Sequence, residues 1–340
     1  MIGGEHYFRA NGEADHNLLN SIIDSNKNVE FFGSGRDSLY SVLKYLDVRH
    51  IFLPNLICES MYKAVVSLDI KCSFYGVDQD LKADVNFFNN EEVNSCILFV
   101  HFFGKVDKRA VEAARSRGLL IISDATHLLF NSGACSDVAL FSDYVFASLR
   151  KSGPFPDGGF LSSREKGLPR ANRDYRREFV AYRVAGLLAR GFAVNKGRIN
   201  DENFKLLRTA EKLLDDSDAG TFNCSIVTQD LLETTSLSIQ TPHIKNNFKF
   251  LYEHLNDLVN CANVDGAPSP YFVVLFQSLD IRDKVRENLA RKKVFCPIHW
   301  ETSFLNDPSS LSAIILSIPC DARYGLDEMS FIVEIIKDSL

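Results

Sequence analysis

The sequence lacks any long hydrophobic run. Its longest apolar stretches, such as Ile97–Gly104 and Tyr271–Phe276, are far shorter than the roughly 20 residues that a membrane-spanning helix requires. The amino terminus also lacks the positively charged segment followed by an apolar segment that marks a secretory signal. These absences predict a cytoplasmic protein with no membrane partner.

The sequence has no excess of positive charge. Its net charge is −6 and its isoelectric point is near 5.8. The most basic stretch, residues 170–177, is diluted by Asn and Asp. Because phosphate backbones bind clustered Lys and Arg side chains, this charge balance predicts no nucleic-acid partner.

The cysteines have no metal-binding spacing. There are eight of them, and no two form a CxxC or Cx4C pair. Several lie inside apolar runs, as Cys96 does, which is typical of buried thiols in a reducing compartment. The sequence therefore predicts no metal site.

Apolar strands alternate with helices from about residue 30. These strands are continuously apolar, which favours a parallel sheet covered by helices on both faces. The 340-residue chain is long enough for two domains. We predict a large α/β domain at residues 1–240, opening with an arm or leading helix that includes a weak helical pattern at residues 18–23. A smaller α+β domain is predicted at residues 241–340. The predicted strands of the first domain are His50–Leu53, Lys71–Tyr75, Ser95–Phe103, Leu119–Ser123 and Tyr144–Ala147.

A lysine follows the last of these strands. Lys151 lies three residues after Ser148, and the turn-forming pair Gly158-Gly159 opens the next strand. An amine at the end of a buried strand is well placed to form a Schiff base with an aldehyde cofactor. The alternative is that Arg150 and Lys151 are ordinary loop cations.

Small residues begin the first amphipathic helix. Gly33–Ser38 precede a helical pattern, and the free backbone N–H groups of such a helix start can hold a phosphate. The segment has neither the lysine of a Walker loop nor the spacing of a dinucleotide-binding fold. A capped helix without a ligand is the alternative.

Ligands of parallel α/β sheets bind at the carboxyl ends of the strands. Four segments lie at those ends, and together they would make a site for pyridoxal phosphate. Asp124 is the carboxylate that would keep the pyridine nitrogen protonated, although a turn or helix cap is its common role. His127 would contact the cofactor ring or would simply be a loop histidine. The four segments are Pro54–Cys58, His101–Gly104, Asp124–His127 and Ser148–Lys151.

These motifs resemble the DegT-type sugar aminotransferases, a branch of the fold type I pyridoxal-phosphate enzymes. The resemblance runs in order from about residue 30 to the carboxyl terminus. Its most specific element is Asp-x-x-His followed 24 residues later by the lysine. The matching segments are Gly35–Leu39, Leu53–Cys58, Val100–Gly104, Ser123–His127, Ser148–Lys151, Pro156–Gly159, Leu316–Pro319 and Asp327–Met329.

The resemblance implies a mixed, mostly parallel sheet, a small carboxyl-terminal domain and a homodimer with shared active sites. It implies transamination from an amino donor, typically glutamate, to a keto acceptor, in most relatives a nucleotide-linked keto-sugar. Lys151 would carry the cofactor and act as the acid and base. The implied cofactor-binding residues are Gly35, Arg36, Cys58, His101, Asp124, His127, Ser148 and Lys151.

The chain departs from the family pattern in two places. Cys58 stands where many relatives have an aromatic residue that stacks on the cofactor, and Arg36 replaces a usual threonine. In the small domain, His299, Trp300 and Arg323 are predicted to face the substrate. Arg323 would bind a carboxylate or else form a salt bridge with Asp321 or Asp327, and Trp300 would alternatively pack in the core. Residues 195–198 are predicted to be a loop that reaches the partner's site.

Two other functions stay open at this point. Some relatives are sugar dehydratases, but these have histidine in place of the Schiff-base lysine, so Lys151 argues against this activity. A catalytically silent homodimer that serves as a binding or regulatory platform is the other alternative, supported by the missing stacking aromatic.

Overall fold

The computed structural model describes residues 1–7, 22, 28–87, 94–195, 201–237, 240–266, 269–306 and 309–340. The predicted leading helix, apart from Ile22, and the loop at 196–198 lie outside these residues. The strands of the main sheet are β2 (Asn28–Phe32), β3 (His50–Pro54), β4 (Lys71–Tyr75), β5 (Ser95–Val100), β6 (Leu120–Asp124), β7 (Tyr144–Ser148) and β8 (Gly159–Ser163). The helices around it are α1 (Gly35–Tyr45), α2 (Glu59–Val66), α3 (Lys108–Ser116), α4 (Ser132–Phe141), α5 (Arg177–Asn195), α6 (Asp201–Asp215) and α7 (Ile226–Thr234).

The main sheet is mixed and mostly parallel. Its seven strands lie in the order β2-β8-β7-β6-β5-β3-β4. The run from β7 to β4 is parallel, whereas β8 is antiparallel to both of its neighbours. Strands β3, β5 and β7 are buried along their whole length, as expected when helices cover both faces. This arrangement confirms the predicted fold class and brings the ends of β5, β6 and β7 to one edge.

A second, smaller layer forms after residue 240. Its sheet has the order β12-β10-β9 and is antiparallel. A separate apolar cluster, which includes Phe272, Leu316 and Ile332, lies between this sheet and its helices. The domain boundary at residue 240 stays a prediction. The elements are α8 (Thr241–Leu255), β9 (Asn260–Cys261), β10 (Tyr271–Leu275), α9 (Leu279–Arg291), β11 (Val294–Phe295), α10 (Leu311–Ile314), β12 (Ile315–Pro319) and α11 (Leu326–Ser339).

The amino-terminal segment packs against this smaller layer. Strand β1 (Ile2–Gly3) pairs in parallel with β11. Ile2 is buried within the second apolar cluster. The first residues of the chain are therefore held next to the carboxyl-terminal third, which the sequence pattern did not indicate.

A close backbone approach joins β8 to the start of α1. A Cβ on Gly159 would lie 2.5 Å from the carbonyl carbon of Ser34 and 2.6 Å from the nitrogen of Gly35. Such a contact with backbone cannot be relieved by rotating a side chain. We therefore expect Gly159→Ala to lower the free energy of unfolding by about 1–3 kcal/mol.

Urea denaturation followed by circular dichroism measures this loss. Gly133→Ala is the control, because among the described residues a Cβ there would meet the Asn131 side chain alone, at 3.4 Å. Equal stability of the two variants would contradict the close approach.

Candidate active site

A small cavity lies at the carboxyl ends of β6 and β7, next to the first residues of α1. Its volume is about 80 Å³. It is lined by six of the predicted cofactor residues, namely Gly35, Arg36, Cys58, Asp124, Ser148 and Lys151. The structure therefore brings together residues that lie up to 116 positions apart in the sequence (151 − 35 = 116).

Asp124 is the buried carboxylate of this cavity. Its Oδ1 atom accepts hydrogen bonds from the backbone N–H of Thr126 at 2.8 Å and from the Thr126 hydroxyl at 2.5 Å. Burial raises the pKa of Asp124 above its usual value, although the Thr126 hydrogen bonds and the nearby Lys151 offset part of this rise. The carboxylate is thus costly to ionise unless a cationic group lies beside it.

Arg36 connects the start of α1 to the end of α6. Its Nη2 atom donates to the carbonyl oxygens of Leu214 and Ser217 at 2.5 and 2.8 Å. Its Nε atom is buried and has no hydrogen-bond partner in the part of the chain that the structure describes. Ser148 lies against Gly35, since a Cβ there would be 3.0 Å from the Ser148 Cβ. An unpaired guanidinium N–H at a helix start suits an anionic group.

Lys151 ends a short 3₁₀ turn, Leu149–Lys151, that follows β7. Its side chain lines both the small cavity and a larger one. The Nζ atom lies 5.9 Å from the ring centroid of Trp300, within the range of a cation–π contact. The lysine amine and the Trp300 ring are therefore neighbours.

His127 lies in a cluster of aromatic rings. Its ring stacks on Phe103 at 4.7 Å and on Trp300 at 5.8 Å between centroids. The backbone N–H of Phe103 donates to His127 Nδ1 at 3.2 Å. Burial, together with His299 and Lys151, lowers the pKa of His127 well below its usual value. His127 is thus neutral and near Lys151, but it is not among the described residues that line either cavity.

His101 lies among packed side chains, and its role in cofactor binding stays a prediction. The side chain is 2% exposed. Its Nε2 atom lies 3.0 Å from the Ser123 hydroxyl, which in turn contacts the Ser142 hydroxyl at 2.7 Å. Its ring meets Phe141 of α4 edge to face. Hydrogen bonding and packing hold His101 beside α4, and it lines neither of the two cavities among the described residues.

The larger cavity has a volume of about 1010 Å³. It lies between the end of β7, helices α5 and α6, the smaller layer and the amino-terminal residues. It shares Arg150, Lys151 and Asp215 with the small cavity. His299 lines it and hydrogen-bonds the Ser317 hydroxyl at 2.9 Å through Nδ1. Burial, and then Lys151, lower the pKa of His299 to about 3. A space of this size can hold a substrate of several rings.

Arg323 also lines the large cavity, and its donors are engaged as in the salt-bridge alternative with Asp321. Its Nε and Nη2 atoms donate to the two carboxylate oxygens of Asp321 at 2.7 and 2.8 Å. Its Nη1 atom donates to the backbone oxygens of Gly4 and Glu5 at 3.1 and 2.8 Å. Four of the five N–H donors of the guanidinium are thus in use. Arg323 fastens the amino-terminal segment to the smaller layer.

Sequence reasoning missed the amino-terminal residues of the site. Glu5 and His6 line the large cavity. Burial alone would raise the pKa of Glu5, but the charges of Arg183 and Arg150 outweigh it and lower that pKa to about 2. His6 hydrogen-bonds the main chain of Lys151, and burial lowers its pKa to about 4. No sequence signal indicated these contacts, because some 145 positions separate the partners in the chain (151 − 6 = 145).

A chain of ion pairs joins this segment to the turn that carries Lys151. Arg183 is fully buried and contacts Glu5 at 3.1 Å and Glu211 at 3.3 Å. Glu211 also pairs with Arg150 at 2.8 Å. The negative charges of Glu5 and Glu211 therefore balance the positive charges of Arg183 and Arg150. These ion pairs hold Arg150 in place next to Lys151.

Within the described ranges, no group of three His, Cys, Asp or Glu side chains could hold a metal ion. None of the described helices is long and apolar enough to span a membrane.

The residues present fit the groups of pyridoxal phosphate. Asp124 could pair with a protonated ring nitrogen. The start of α1, Ser148 and the unpartnered Nε of Arg36 could hold the phosphate, and the Lys151 amine could bond an aldehyde. The small cavity alone is too small for the whole molecule, so the fit uses the space that it shares with the larger cavity around Lys151.

Comparisons with known proteins agree with the architecture. No family model and no curated protein matches the chain, but solved structures do. A DegT DnrJ EryC1 StrS aminotransferase from Brucella abortus has a TM-score of 0.63 at 16% identity, covering 95% of this chain and 91% of that one. Spr1654 from Streptococcus pneumoniae, described as a proposed sugar aminotransferase and solved in its PLP form, has a TM-score of 0.66 at 11% identity. The match covers 98% of this chain and all of Spr1654.

A third structure is DesI, solved in the presence of its TDP-sugar product. Its TM-score is 0.65 at 15% identity, and the match covers 99% of this chain and 93% of DesI. At such identities the likeness establishes the fold. The chain has the fold of the DegT DnrJ EryC1 StrS aminotransferases.

Proposed function

We propose that this protein is a pyridoxal-phosphate-dependent aminotransferase. The observation that carries the proposal is that Lys151 and Asp124, from the ends of adjacent parallel strands, line one cavity. An amine and a buried carboxylate are the two side chains that this cofactor needs from a protein. The fold shared with solved aminotransferases supports the same assignment.

The cofactor, when bound, supplies an electron sink that stabilises negative charge at the carbon bearing the amino group. Asp124 holds the proton on the ring nitrogen. Lys151 would hold the cofactor and, once released, would act as the acid and base that moves a proton between the substrate carbon bearing the amino group and the cofactor carbon bonded to that nitrogen. The Arg36 Nε–H and the first N–H groups of α1 bind the phosphate. The neutral rings of His127 and Trp300 exclude water around the amine.

For the substrates, we propose glutamate as the amino donor and a nucleotide-linked keto-sugar as the acceptor. The large cavity has room for a nucleotide-linked sugar beside Lys151. The structural neighbour DesI was solved with a TDP-sugar product. The overall reaction exchanges the donor's amino group for the acceptor's keto oxygen, so no oxidant is consumed.

We also propose a cytoplasmic homodimer. The eight cysteines are all free, which suits a reducing compartment. Helix α5 exposes Leu188 and Phe192, at 44% and 65%, and apolar side chains of this kind favour contact with a second copy.

Covalent capture tests the proposal. We expect the purified protein mixed with pyridoxal phosphate to turn yellow, and borohydride reduction to fix the cofactor on Lys151, as located by mass spectrometry of the digested protein. Lys151→Ala should abolish this labelling, because no other amine lies beside Asp124 among the residues lining the small cavity. Lys212→Ala is the matched control, since Lys212 lines only the large cavity.

Glutamate should then remove the yellow colour of the loaded protein. A colourless protein that reduction fails to label would instead favour a silent binding platform. A loaded protein that ignores amino donors but releases water from a sugar would favour the dehydratase.

A further inference from the structure

The arginines around the large cavity differ in how their charge is compensated. Arg150 and Arg323 line this cavity. They and Arg183, which contacts the lining residues Glu5 and Glu211, each form an ion pair with a carboxylate, at distances of 2.7 to 3.3 Å. Arg190, from the last turns of α5, lines the same cavity. It has no carboxylate within 4.0 Å in the described part of the chain. Arg190 is therefore the exception among the buried arginines here.

Arg190 is nearly inaccessible to solvent. Its side chain is 2% exposed, and its Nε atom is buried without a hydrogen-bond partner among the described residues. Its Nη2 atom donates to the backbone oxygen of Gly3 at 2.9 Å. Glu5 is the nearby acid, but its carboxylate is paired with Arg183. Among the described residues, the guanidinium therefore donates to one acceptor, and that acceptor is a neutral backbone carbonyl.

The amino-terminal segment packs against this guanidinium. A Cβ on Gly4 would lie 3.4 Å from Arg190 Nη2 and 3.6 Å from Nη1. Phe204 of α6, which also lines the cavity, lies 6.0 Å from the guanidinium carbon. The group is therefore held by packing, and its position does not depend on an ion pair.

A buried charge without a counter-ion is costly, and a protein offsets this cost by pairing the charge. Burial, followed by the positive charge of Arg323, lowers the pKa of Arg190. An oxyanion in the cavity would supply the missing negative charge. A guanidinium fork also matches the geometry of a carboxylate or phosphate.

We propose that Arg190 is the residue of the large cavity that binds an oxyanion of the substrate. That oxyanion is a carboxylate of the amino donor or a phosphate of the acceptor. This inference deepens the proposed function and rests on it for the identity of the ligand. It assigns to Arg190 the role that sequence reasoning gave to Arg323.

Binding of two unreactive probes separates the two sources. Glutarate carries the carboxylates of the donor without its amino group, and uridine diphosphate carries the phosphates of a nucleotide-linked acceptor. Calorimetric titration of the full chain, loaded with pyridoxal phosphate, gives the dissociation constant for each probe. We expect Arg190→Gln to weaken one probe by about 10- to 100-fold and leave the other within about threefold.

Two variants control for structure. Arg291→Gln removes an exposed arginine of helix α9 that lines neither cavity, and it should change neither dissociation constant by more than about threefold. Arg190→Lys keeps a charge and a donor for Gly3 but loses the fork, so it should bind the affected probe with intermediate affinity. This variant also serves if Arg190→Gln fails to fold.

Unchanged binding of both probes by the Arg190 variants would overturn the inference, as would a wild-type protein that binds neither probe. Labelling of Lys151 is measured on the same samples. A protein that labels at Lys151 but shows no Arg190 effect contradicts this inference alone. A protein that does not label contradicts the proposed function.

Discussion

Replacing Asp124 with alanine is expected to lower kcat by about 10²- to 10³-fold. A preorganised charge at the reacting group has an effect of this size when it is removed. Asp124 is the last residue of β6, and one of its oxygens accepts hydrogen bonds from Thr126. Among the residues that line the small cavity it is the buried acid. The loss should appear in kcat while borohydride still labels Lys151, because attachment depends on the amine.

Asp215→Asn is the matched control for this prediction. Asp215 lines the same cavity but is exposed on α6, so its loss should change kcat by less than about threefold. A full loss of labelling in Asp124→Ala would show that Asp124 holds the site together instead of acting on the ring. Equal activity of Asp124→Ala and wild type would remove Asp124 from the reaction.

The sign of the Asp124 pKa shift adds a second measurement. A carboxyl group whose folded pKa is raised destabilises the fold once the pH is above that folded pKa, and the penalty disappears below the unfolded pKa. We therefore expect Asp124→Asn, which keeps the acceptor for Thr126, to raise the melting temperature of the cofactor-free protein at neutral pH. The difference should shrink as the pH falls towards the usual range of Asp. A variant that melts lower than wild type at neutral pH would contradict this sign.

Loss of the Asp37–Arg176 pair is expected to have the largest effect on stability. Asp37 is fully buried and receives two N–H bonds from Arg176, at 2.6 and 2.9 Å. The Ser34 hydroxyl and the backbone N–H of Gly220 also donate to it. Arg176→Gln would leave this carboxylate buried with its counter-ion removed. We expect the free energy of unfolding to fall by about 3–5 kcal/mol.

Urea unfolding, with the midpoint and slope compared to wild type, measures this loss. Arg177→Gln is the control from the adjacent position, because the Arg177–Asp174 pair is 76% and 82% exposed. Exposed pairs contribute about 0–1 kcal/mol. A loss in Arg176→Gln no larger than that in Arg177→Gln would show that the buried pair is not needed.

The main sheet could be predicted from the sequence because continuous apolar runs leave few alternatives. Lys71–Tyr75 was predicted and found as β4 with the same bounds. The predicted strand Ser95–Phe103 ends instead at Val100. The residues after it form a tight turn in which Phe103 has a φ of 48°, and hydrophobicity does not report such a turn.

Part of the candidate site could be predicted from the order of the parallel strands. Asp124, Ser148 and Lys151 end neighbouring parallel strands or follow them directly, so the topology brings them to one edge. His101 follows a strand end too, yet it lies against Ser123 and Phe141. The two-residue periodicity of a strand predicts which face of the sheet a side chain lies on, but only for residues inside the strand. It makes no such prediction for His101, which lies one residue beyond the end of β5.

The remaining residues could not be predicted because their partners are distant in the sequence. The choice of Arg323 between a substrate and Asp321 depends on where residues 4 and 5 lie, some 320 positions away. Arg190 depends on the same amino-terminal segment. The amino-terminal segment is polar and has no periodicity, so the sequence does not indicate where it packs. The contacts of Arg190 and Arg323 could therefore not be predicted from the sequence.

The position of Trp300 allows its fluorescence to report on the candidate site. It is the single tryptophan among 340 residues, so the tryptophan emission of the chain, excited selectively over tyrosine, arises from one indole. That indole lies 5.9 Å from the amine of Lys151, and a chromophore held there that absorbs in the range of tryptophan emission would accept its excitation energy. Fluorescence of the untagged protein can thus follow events at this lysine in real time, without a dye or a coupled assay.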